Sequence, residues 1–336
     1  MIWVQAATFA VGFALLVWLI ASLGLGQTLE TVGQIGWGFF WIAAISGARH
    51  LVRAFCLYLA ISGEPRTGFL NVLEARLAGE AVNLLTFTGP FLGDATKIAL
   101  LKRQQSLEHS AAAVIVDDIL YYVTVGLMIL AGIALLAVDI GVGDKALWYT
   151  LAIVVGLVLA MLIGLAMVLK FDIKPVSFVL KRLDRYGLLP GIVSSWRPRL
   201  REIEIMVLAV YFERPGIFYA LLGLGIFTHV LSVIEVYAAL YLLGAVPTAA
   251  NAFVIESLTK ILNFAFSFVP GTIGVYEGGN ALFLNLLGYS TAVGVALALV
   301  RRGAMLFWTA FGMLVLARRT AAYGKREIAK RLEADV

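Results

Sequence analysis

The chain has 336 residues, of which 61% are apolar and 14% are charged, and its mean hydropathy is +0.94. This composition is typical of a polytopic membrane protein and excludes an ordinary soluble domain. A single cysteine, Cys56, excludes an internal disulfide, and the scattered His50, His109 and His229 give no metal-ligand spacing. The formal charge of +5 comes from basic residues beside hydrophobic segments, which predicts contact with anionic lipid and argues against nucleic acid.

Long apolar segments predict six membrane-spanning helices in chain order, near 3–24, 37–62, 109–138, 146–170, 216–244 and 290–317. The first lacks a basic leader region and a cleavage site, so we interpret it as a retained helix. Lys and Arg mark cytoplasmic loops, and they cluster at 97–103, at 170–214 and after residue 318. This pattern predicts a multi-pass protein of the cytoplasmic (inner) membrane with both termini in the cytoplasm.

Two further segments, 69–94 and 249–288, each begin and end on one predicted side of the membrane. We interpret them as re-entrant hairpins that enter from opposite faces, although two short full crossings in each half would also fit. The predicted fold is therefore all-α, with one transmembrane domain over 1–318 and a basic cytoplasmic tail over 319–336. Its halves, about 1–138 and 146–318, form an inverted repeat of the kind found in transporters.

A polar motif occurs once in each hairpin. Asn83 stands seven residues before Pro90, and Asn263 stands seven before Pro270. Each proline is followed by a glycine and then a carboxylate, and each asparagine follows an ionisable residue by three positions: Gly93, Asp94 and Glu80 in the first hairpin, and Gly274, Glu277 and Lys260 in the second. We expect the prolines and glycines to break the hairpins, and the asparagines either to cap a broken helix or to contact a ligand.

The cytoplasmic insert 171–214 carries two amphipathic stretches. One reading places them as interfacial helices on an anionic leaflet. The other treats them as solvated connectors packed on the bundle.

Charged residues inside the spanning helices are costly in lipid and usually functional. Arg49 and Arg53 share one helical face, which suits a phosphate. We expect Glu277 to pair with Arg301, and Asp94 or Asp117 to pair with an arginine of the second helix. Buried structural ion pairs are the alternative reading.

The predicted substrate-binding set consists of Arg49, Arg53, Asn83, Asp94, Lys97, Asp117, Asp118, Lys260, Asn263, Glu277 and Arg301. His229 and Glu235 could line the same cavity, although a lone histidine within a helix is more often a core residue. No cofactor or metal motif occurs, and neither a Walker loop nor a GxSxG elbow is present.

Four segments carry a resemblance: RHLVRAFCLYLAISGEP, AGEAVNLLTFTGPFLGDATKIALL, FVPGTIGVYEG and ALVRRGAMLFW. Nearly the whole chain resembles the flippase-like membrane domain of lysylphosphatidylglycerol synthases, which also occurs alone in proteins linked to hopanoid or polyprenyl-lipid pathways. In this chain Asp94 replaces the usual Glu, Lys97 replaces the usual Arg, and Asp117–Asp118 replace a common Glu-Arg pair. The resemblance implies lipid translocation, and without an aminoacyl-transferring domain we expect no lysyl transfer.

The sequence therefore predicts a non-enzymatic lipid flippase that works by alternating access, with a membrane lipid as its substrate. An ion-coupled carrier of a small anionic solute would use the same architecture. A membrane-embedded enzyme would need a nucleophile or metal cluster, which the sequence lacks. The last alternative is a non-transporting partner of a lipid-synthesis enzyme.

Overall fold

The computed structural model describes residues 33–61, 67–86, 89–140, 145–185 and 190–334, and its regular elements there are all helices. The helix predicted near 3–24 lies outside the described residues. The eleven described α-helices are α1 (Gly38–Ala60), α2 (Phe69–Leu85), α3 (Gly89–Leu101), α4 (Leu107–Ile140), α5 (Lys145–Lys170), α6 (Pro175–Arg185), α7 (Pro190–Phe212), α8 (Pro215–Leu242), α9 (Ala249–Ala265), α10 (Val275–Leu286) and α11 (Thr291–Ala334), and a 3-10 turn covers Pro270–Thr272.

Five of these helices, α1, α4, α5, α8 and α11, are long and apolar enough to cross a membrane. They coincide with the second to sixth predicted spans, so the all-α polytopic fold is confirmed. Helix α11 continues without interruption to Ala334, through the segment expected to form the basic tail. The segment after residue 318 is rich in Ala, Arg, Lys and Glu, which favour helix.

The two segments predicted as hairpins are each split into two short helices. Helices α2 and α9 both have 17 residues, and their partners α3 and α10 have 13 and 12. At 1.5 Å per residue, 17 residues extend about 25 Å, which is less than the ~30 Å hydrocarbon core of a bilayer. All four helices are at or below the ~17-residue lower limit for a spanning helix, which favours the hairpin interpretation over short full crossings.

The breaks differ in detail from the prediction. In the second hairpin, Gly271 and Gly274 adopt positive φ angles of 56° and 79°, so the predicted break at Pro270 and Gly274 coincides with the observed one. In the first hairpin the break precedes Gly89, and Pro90 lies in the first turn of α3. Gly93 was wrongly predicted to break the helix. It lies inside α3, where a Cβ would stand 2.8 Å from the Gly79 carbonyl oxygen, so its role is close packing of α2 on α3.

Side-chain contacts place the two hairpins at opposite ends of α1. At one end, Glu74 of α2 pairs with Arg318 and Arg319 of α11, and Arg103 after α3 donates to the Arg319 carbonyl. At the other end, Asn251 of α9 donates to the Tyr289 hydroxyl, which follows α10. The start of α1 lies at this second end, because Gly38 packs on Leu242. The end of α1 lies at the first, where Tyr58 meets Phe69.

Packing between the halves is reciprocal. Helix α2 packs on α11, α9 packs on α4, and α1 packs on α8. Each hairpin therefore rests on the last spanning helix of the other half. One apolar core joins α1, α2 and α4, and another joins α1, α8, α9 and α11.

The cytoplasmic insert forms α6 and α7. Val210 is buried in the core of the bundle and Val207 packs against it, which favours the packed reading for α7. Glu204 of α7 accepts hydrogen bonds from the backbone N–H groups of Val176 and Ser177 and so fixes the start of α6.

Candidate functional site

A cavity of about 220 Å³ lies beside the break of the first hairpin, between α1, α2, α3, α4 and α8. Four basic and three acidic side chains line it: Arg49, Arg53, Arg76 and Lys97, with Glu80, Asp94 and Asp118. The remaining lining residues are His50, Asn83, Pro90, Tyr121, Tyr122 and Thr228. So many charges within a membrane bundle are costly unless they are paired or face a polar ligand.

Asp117 lies behind the cavity between two arginines. Its carboxylate is 3.0 Å from Arg53 of α1 and 3.0 Å from Arg76 of α2, and all three side chains are buried. The predicted pairing of Asp117 with an arginine of the second spanning helix is present. The Arg53 guanidinium also lies 4.1 Å from the centre of the Tyr121 ring, in cation–π geometry.

Lys97 is surrounded by three carboxylates. Its Nζ lies 2.8 Å from Asp94, 3.7 Å from Glu80 and 3.9 Å from Asp118. The lysine side chain is only 4% exposed. The prediction that Lys97 marks a cytoplasmic loop is therefore wrong, because α3 continues to Leu101 and buries Lys97 at the site.

The groups that a ligand can reach are mainly acidic. The side chains of Glu80, Asp94 and Asp118 are 29%, 32% and 23% exposed, whereas Arg53 is only 7% exposed and already bound to Asp117. Arg49 is 26% exposed and is the most accessible basic side chain of the cavity. Arg49 is itself bound to Glu235, at 2.5 Å, so the cavity offers three carboxylates for hydroxyl or ammonium donors and one guanidinium that an anion can bind only in competition with Glu235.

The second half holds a related cluster around Arg301. Arg301 lies 3.1 Å from Glu235 of α8 and 2.8 Å from Glu256 of α9. Glu256 also binds Lys260, one helical turn further on, at 2.9 Å. Lys260 Nζ in turn lies 3.4 Å from the Tyr121 hydroxyl and so approaches the cavity from behind.

Glu277 binds Arg302, and the predicted pairing of Glu277 with Arg301 is wrong. Consecutive helical residues point about 100° apart, so Arg301 and Arg302 face different partners. Glu277 also accepts a hydrogen bond of 2.7 Å from the backbone N–H of Gly274 and so caps α10. Arg302 donates to the Gly271 carbonyl at 2.8 Å and thereby holds the break of the second hairpin.

The two halves repeat these ion pairs with their signs reversed. Acidic Asp117 between Arg53 and Arg76 corresponds to basic Arg301 between Glu235 and Glu256. We call the first network Arg53, Arg76, Glu80, Lys97, Asp117 and Asp118, and the second network Glu235, Glu256, Lys260, Glu277, Arg301 and Arg302. Taken in the order given, each residue of the first network corresponds to a residue of opposite charge in the second.

The spacing along the chain supports this correspondence. Arg76 and Glu256 stand seven residues before Asn83 and Asn263. Lys97 stands seven residues after Pro90, and Glu277 stands seven residues after Pro270. The Arg76–Glu80 pair at 3.0 Å matches the Glu256–Lys260 pair at 2.9 Å. The two hairpins are therefore structural counterparts.

Residues 5–312 match the family model described as "Lysylphosphatidylglycerol synthase TM region". The chain belongs to this family. Comparison with curated proteins and with solved structures gave no match. Membership confirms the resemblance carried by the hairpin motifs and indicates a role connected with membrane lipid.

In the structure of this family member, the predicted substrate-binding residues fall into three groups. Arg49, Arg53, Asn83, Asp94, Lys97 and Asp118 line the cavity, while Asp117 lies directly behind it. Lys260, Glu277 and Arg301 belong to the second network. Asn263 is half-buried in the last turn of α9.

Neither asparagine stands at the start of a helix. Asn83 and Asn263 lie inside α2 and α9, so the expected N-capping role is wrong, and Asn83 instead faces the cavity. His229 is a core residue, as its isolation suggested: its Nε2 lies 3.0 Å from Thr124 Oγ1. Among the described residues, no group of three or more His, Cys, Asp or Glu side chains could hold a metal ion.

Three network members, Arg76, Glu256 and Arg302, were missed by sequence reasoning. The available signal was position: Arg76 and Glu256 stand at the same distance from the repeated asparagines. Their opposite charges hide the match when residue types are compared. Arg76 also stands four residues before Glu80, and Glu256 stands four residues before Lys260, which is the spacing of a helical ion pair.

Proposed function

We propose that the chain is a lipid flippase or lipid transporter of the cytoplasmic membrane and has no catalytic activity of its own. Its substrate is a lipid with a polar, phosphate-containing headgroup. The observation that carries the proposal is the cavity of about 220 Å³, which places both signs of charge beside a broken helix inside an apolar bundle.

The size of the cavity suits a headgroup and not a whole lipid. Drug-sized ligands occupy pockets of about 300–1,000 Å³, so acyl chains have to remain outside. Exposed apolar residues stand next to the cavity for this purpose: Phe91 and Leu92, which follow the lining residue Pro90, are 81% and 46% exposed. In this arrangement the headgroup enters the cavity sideways while the chains stay in the bilayer.

The reciprocal packing of the halves supports alternating access. Two hairpins at opposite ends of the bundle, each resting on the other half, support an inverted repeat that opens first to one side and then to the other. We orient the end with Glu74, Arg318 and Arg319 toward the cytoplasm because basic residues gather there. The end of α11 is then cytoplasmic, and with the helix predicted near 3–24 as a further crossing the N-terminus is cytoplasmic too. The exposed basic helix α6 contacts anionic lipid.

Lipid exchange in liposomes tests the proposal. The purified chain is reconstituted with fluorescent short-chain phosphatidylglycerol, phosphatidylethanolamine or phosphatidylcholine, and leaflet exchange is followed by dithionite quenching. We expect exchange that depends on the headgroup. Asp94→Asn should slow it about tenfold to a hundredfold, because one charge-assisted hydrogen bond to a ligand contributes about 1.5–3 kcal/mol and each 1.4 kcal/mol is a factor of about ten. Asp172→Asn, on the exposed insert, is the matched control and should leave the rate unchanged.

The other outcomes separate the rival functions. Absence of exchange together with uptake of a water-soluble organophosphate would identify an anion carrier. Absence of both, for lipids that include polyprenyl phosphate, would leave a non-transporting partner of a lipid-synthesis enzyme. Exchange that Asp94→Asn does not slow would place the headgroup path outside this cavity.

A further inference from the structure

Arg49 is the basic residue of the cavity that breaks the sign-reversed repeat. It stands four residues before Arg53 on α1. The corresponding residue on α8, four positions before Glu235, is the uncharged Leu231. Arg49 therefore has no counterpart of opposite charge, and the sign-reversed repeat does not account for its presence.

The contacts of Arg49 also differ from those of the network arginines. Its Nη1 lies 2.5 Å from Glu235 Oε2, so it joins the first half to the second. The network pairs of Asp117 and Arg301 stay within one half. Arg49 Nε is buried and finds no hydrogen-bond partner among the described residues, although the side chain still lines the cavity. The guanidinium thus retains an unpaired donor, which a ligand reaches once the side chain turns away from Glu235.

Glu235 does not depend on Arg49 for its neutralisation. Its other carboxylate oxygen, Oε1, lies 3.1 Å from Arg301 Nε. If Arg49 turned toward a ligand, Glu235 would keep one guanidinium partner and would not become an isolated buried charge. Arg49 can therefore exchange Glu235 for a ligand without leaving an unpaired charge inside the bundle.

We infer that Arg49 is the phosphate-binding residue of the cavity, and that a bound phosphate displaces Glu235 from it. A guanidinium binds phosphate through parallel N–H donors, a geometry that the free Nε of Arg49 favours. Occupation of the cavity then removes the buried ion pair between α1 and α8. This inference rests on the proposed function only in taking the ligand to be a phosphate.

Competition between phosphate and Glu235 makes a prediction that an ordinary structural ion pair does not. Removal of the Glu235 charge should strengthen phosphate binding, because the ligand no longer has to displace a carboxylate. Glu256→Gln is the matched control: it also takes one carboxylate from Arg301, but Glu256 is not bonded to Arg49.

The probe is sn-glycerol 3-phosphate, a soluble headgroup analogue, and its binding to the full chain in detergent is measured by calorimetry after each variant passes size-exclusion chromatography. We expect Glu235→Gln to tighten binding at least fivefold, Arg49→Gln to weaken it at least tenfold, and Arg49→Lys to lie between Arg49→Gln and the wild type. We expect Glu256→Gln to bind within twofold of the wild type. If Glu235→Gln does not fold, the phosphate-binding role of Arg49 is tested without it, by dihexanoylphosphatidylglycerol binding to the wild type, Arg49→Gln and Arg49→Lys.

Several results would overturn the inference: no binding of either probe to the wild type, unchanged binding in Arg49→Gln, or equal effects of Glu235→Gln and Glu256→Gln. The liposome assay tests the flippase activity separately from the phosphate-binding role of Arg49. Lipid exchange by the wild type, together with unaltered phosphate binding in Arg49→Gln, would support the flippase activity and refute the phosphate-binding role. The expected binding pattern without any lipid exchange would support the phosphate-binding role and refute the flippase activity.

Discussion

Asp117 of α4 and Arg301 of α11 hold matching positions with opposite charge. Asp117 contacts two arginines, one from the second spanning helix of its half and one from its hairpin, and Arg301 contacts two glutamates placed in the same way. Each central residue is at most 6% exposed in its side chain. Three helices in each half are therefore joined through one buried charge.

Neutralising Asp117 should destabilise the first half strongly. Asp117→Asn keeps the shape of the side chain but removes the carboxylate that lies between Arg53 and Arg76, so that only Asp118, 3.8 Å from Arg53, and Glu80, 3.0 Å from Arg76, remain to balance them. Removing one partner from a buried ion pair costs about 3–5 kcal/mol. We expect a lower midpoint of thermal unfolding in detergent, followed by tryptophan fluorescence. A midpoint equal to that of the wild type would mean that water solvates this carboxylate.

Glu277→Gln should destabilise the second hairpin more than Glu74→Gln destabilises the bundle. Glu277 is fully buried and holds both Arg302 and the Gly274 N–H, whereas Glu74 forms its ion pairs at a helix end, where Arg318 is 70% exposed. We expect a loss of about 3–5 kcal/mol for the first and about 0–1 kcal/mol for the second. Urea unfolding of both variants in the same detergent measures the difference, and equal losses would contradict it.

Gly93→Ala should disturb the packing of the first hairpin. The added Cβ would lie 2.8 Å from the Gly79 carbonyl oxygen and 2.9 Å from the Asn83 Cβ, and backbone has to move to admit it. Overpacking of this kind costs about 1–3 kcal/mol. The control is Gly164→Ala in α5, where nothing lies within 4 Å and alanine favours the helix. The midpoint of thermal unfolding should fall only in Gly93→Ala. A fall in both variants would point to a loss of stability unrelated to the packing of α2 on α3.

Glu204→Gln should loosen the start of α6. The carboxylate of Glu204 accepts from two backbone N–H groups there, and the loss of a cap costs about 0.5–2 kcal/mol. We expect faster hydrogen–deuterium exchange over 176–180, with α8 unchanged. Glu202→Gln, at an exposed neighbouring site, serves as the comparison. Equal exchange in the two variants would show that packing, and not this cap, holds α6.

Sequence reasoning predicted the spanning helices well because an apolar run of sufficient length has few other structures available in lipid. It also located both broken segments, since the Asn–Pro spacing repeats regardless of tertiary contacts. It failed where neighbouring residues compete for one partner. Arg301 and Arg302 are adjacent in the chain, and only the rotation of α11 decides that Arg302 meets Glu277. Arg76 was overlooked because its counterpart, Glu256, carries the opposite charge.

The sign-reversed networks also bear on how the chain would respond to voltage. Each network contains three basic and three acidic side chains, and Arg49 and Asp94 add one charge of each sign to the first half. Moving one net charge through a membrane potential of 100 mV involves about 2.3 kcal/mol, whereas a neutral body moves without electrical work. If the halves rock as proposed, the network side chains therefore add no net charge movement. A current, or a rate that depends on potential, would then have to come from the transported molecule or from charged residues outside the networks.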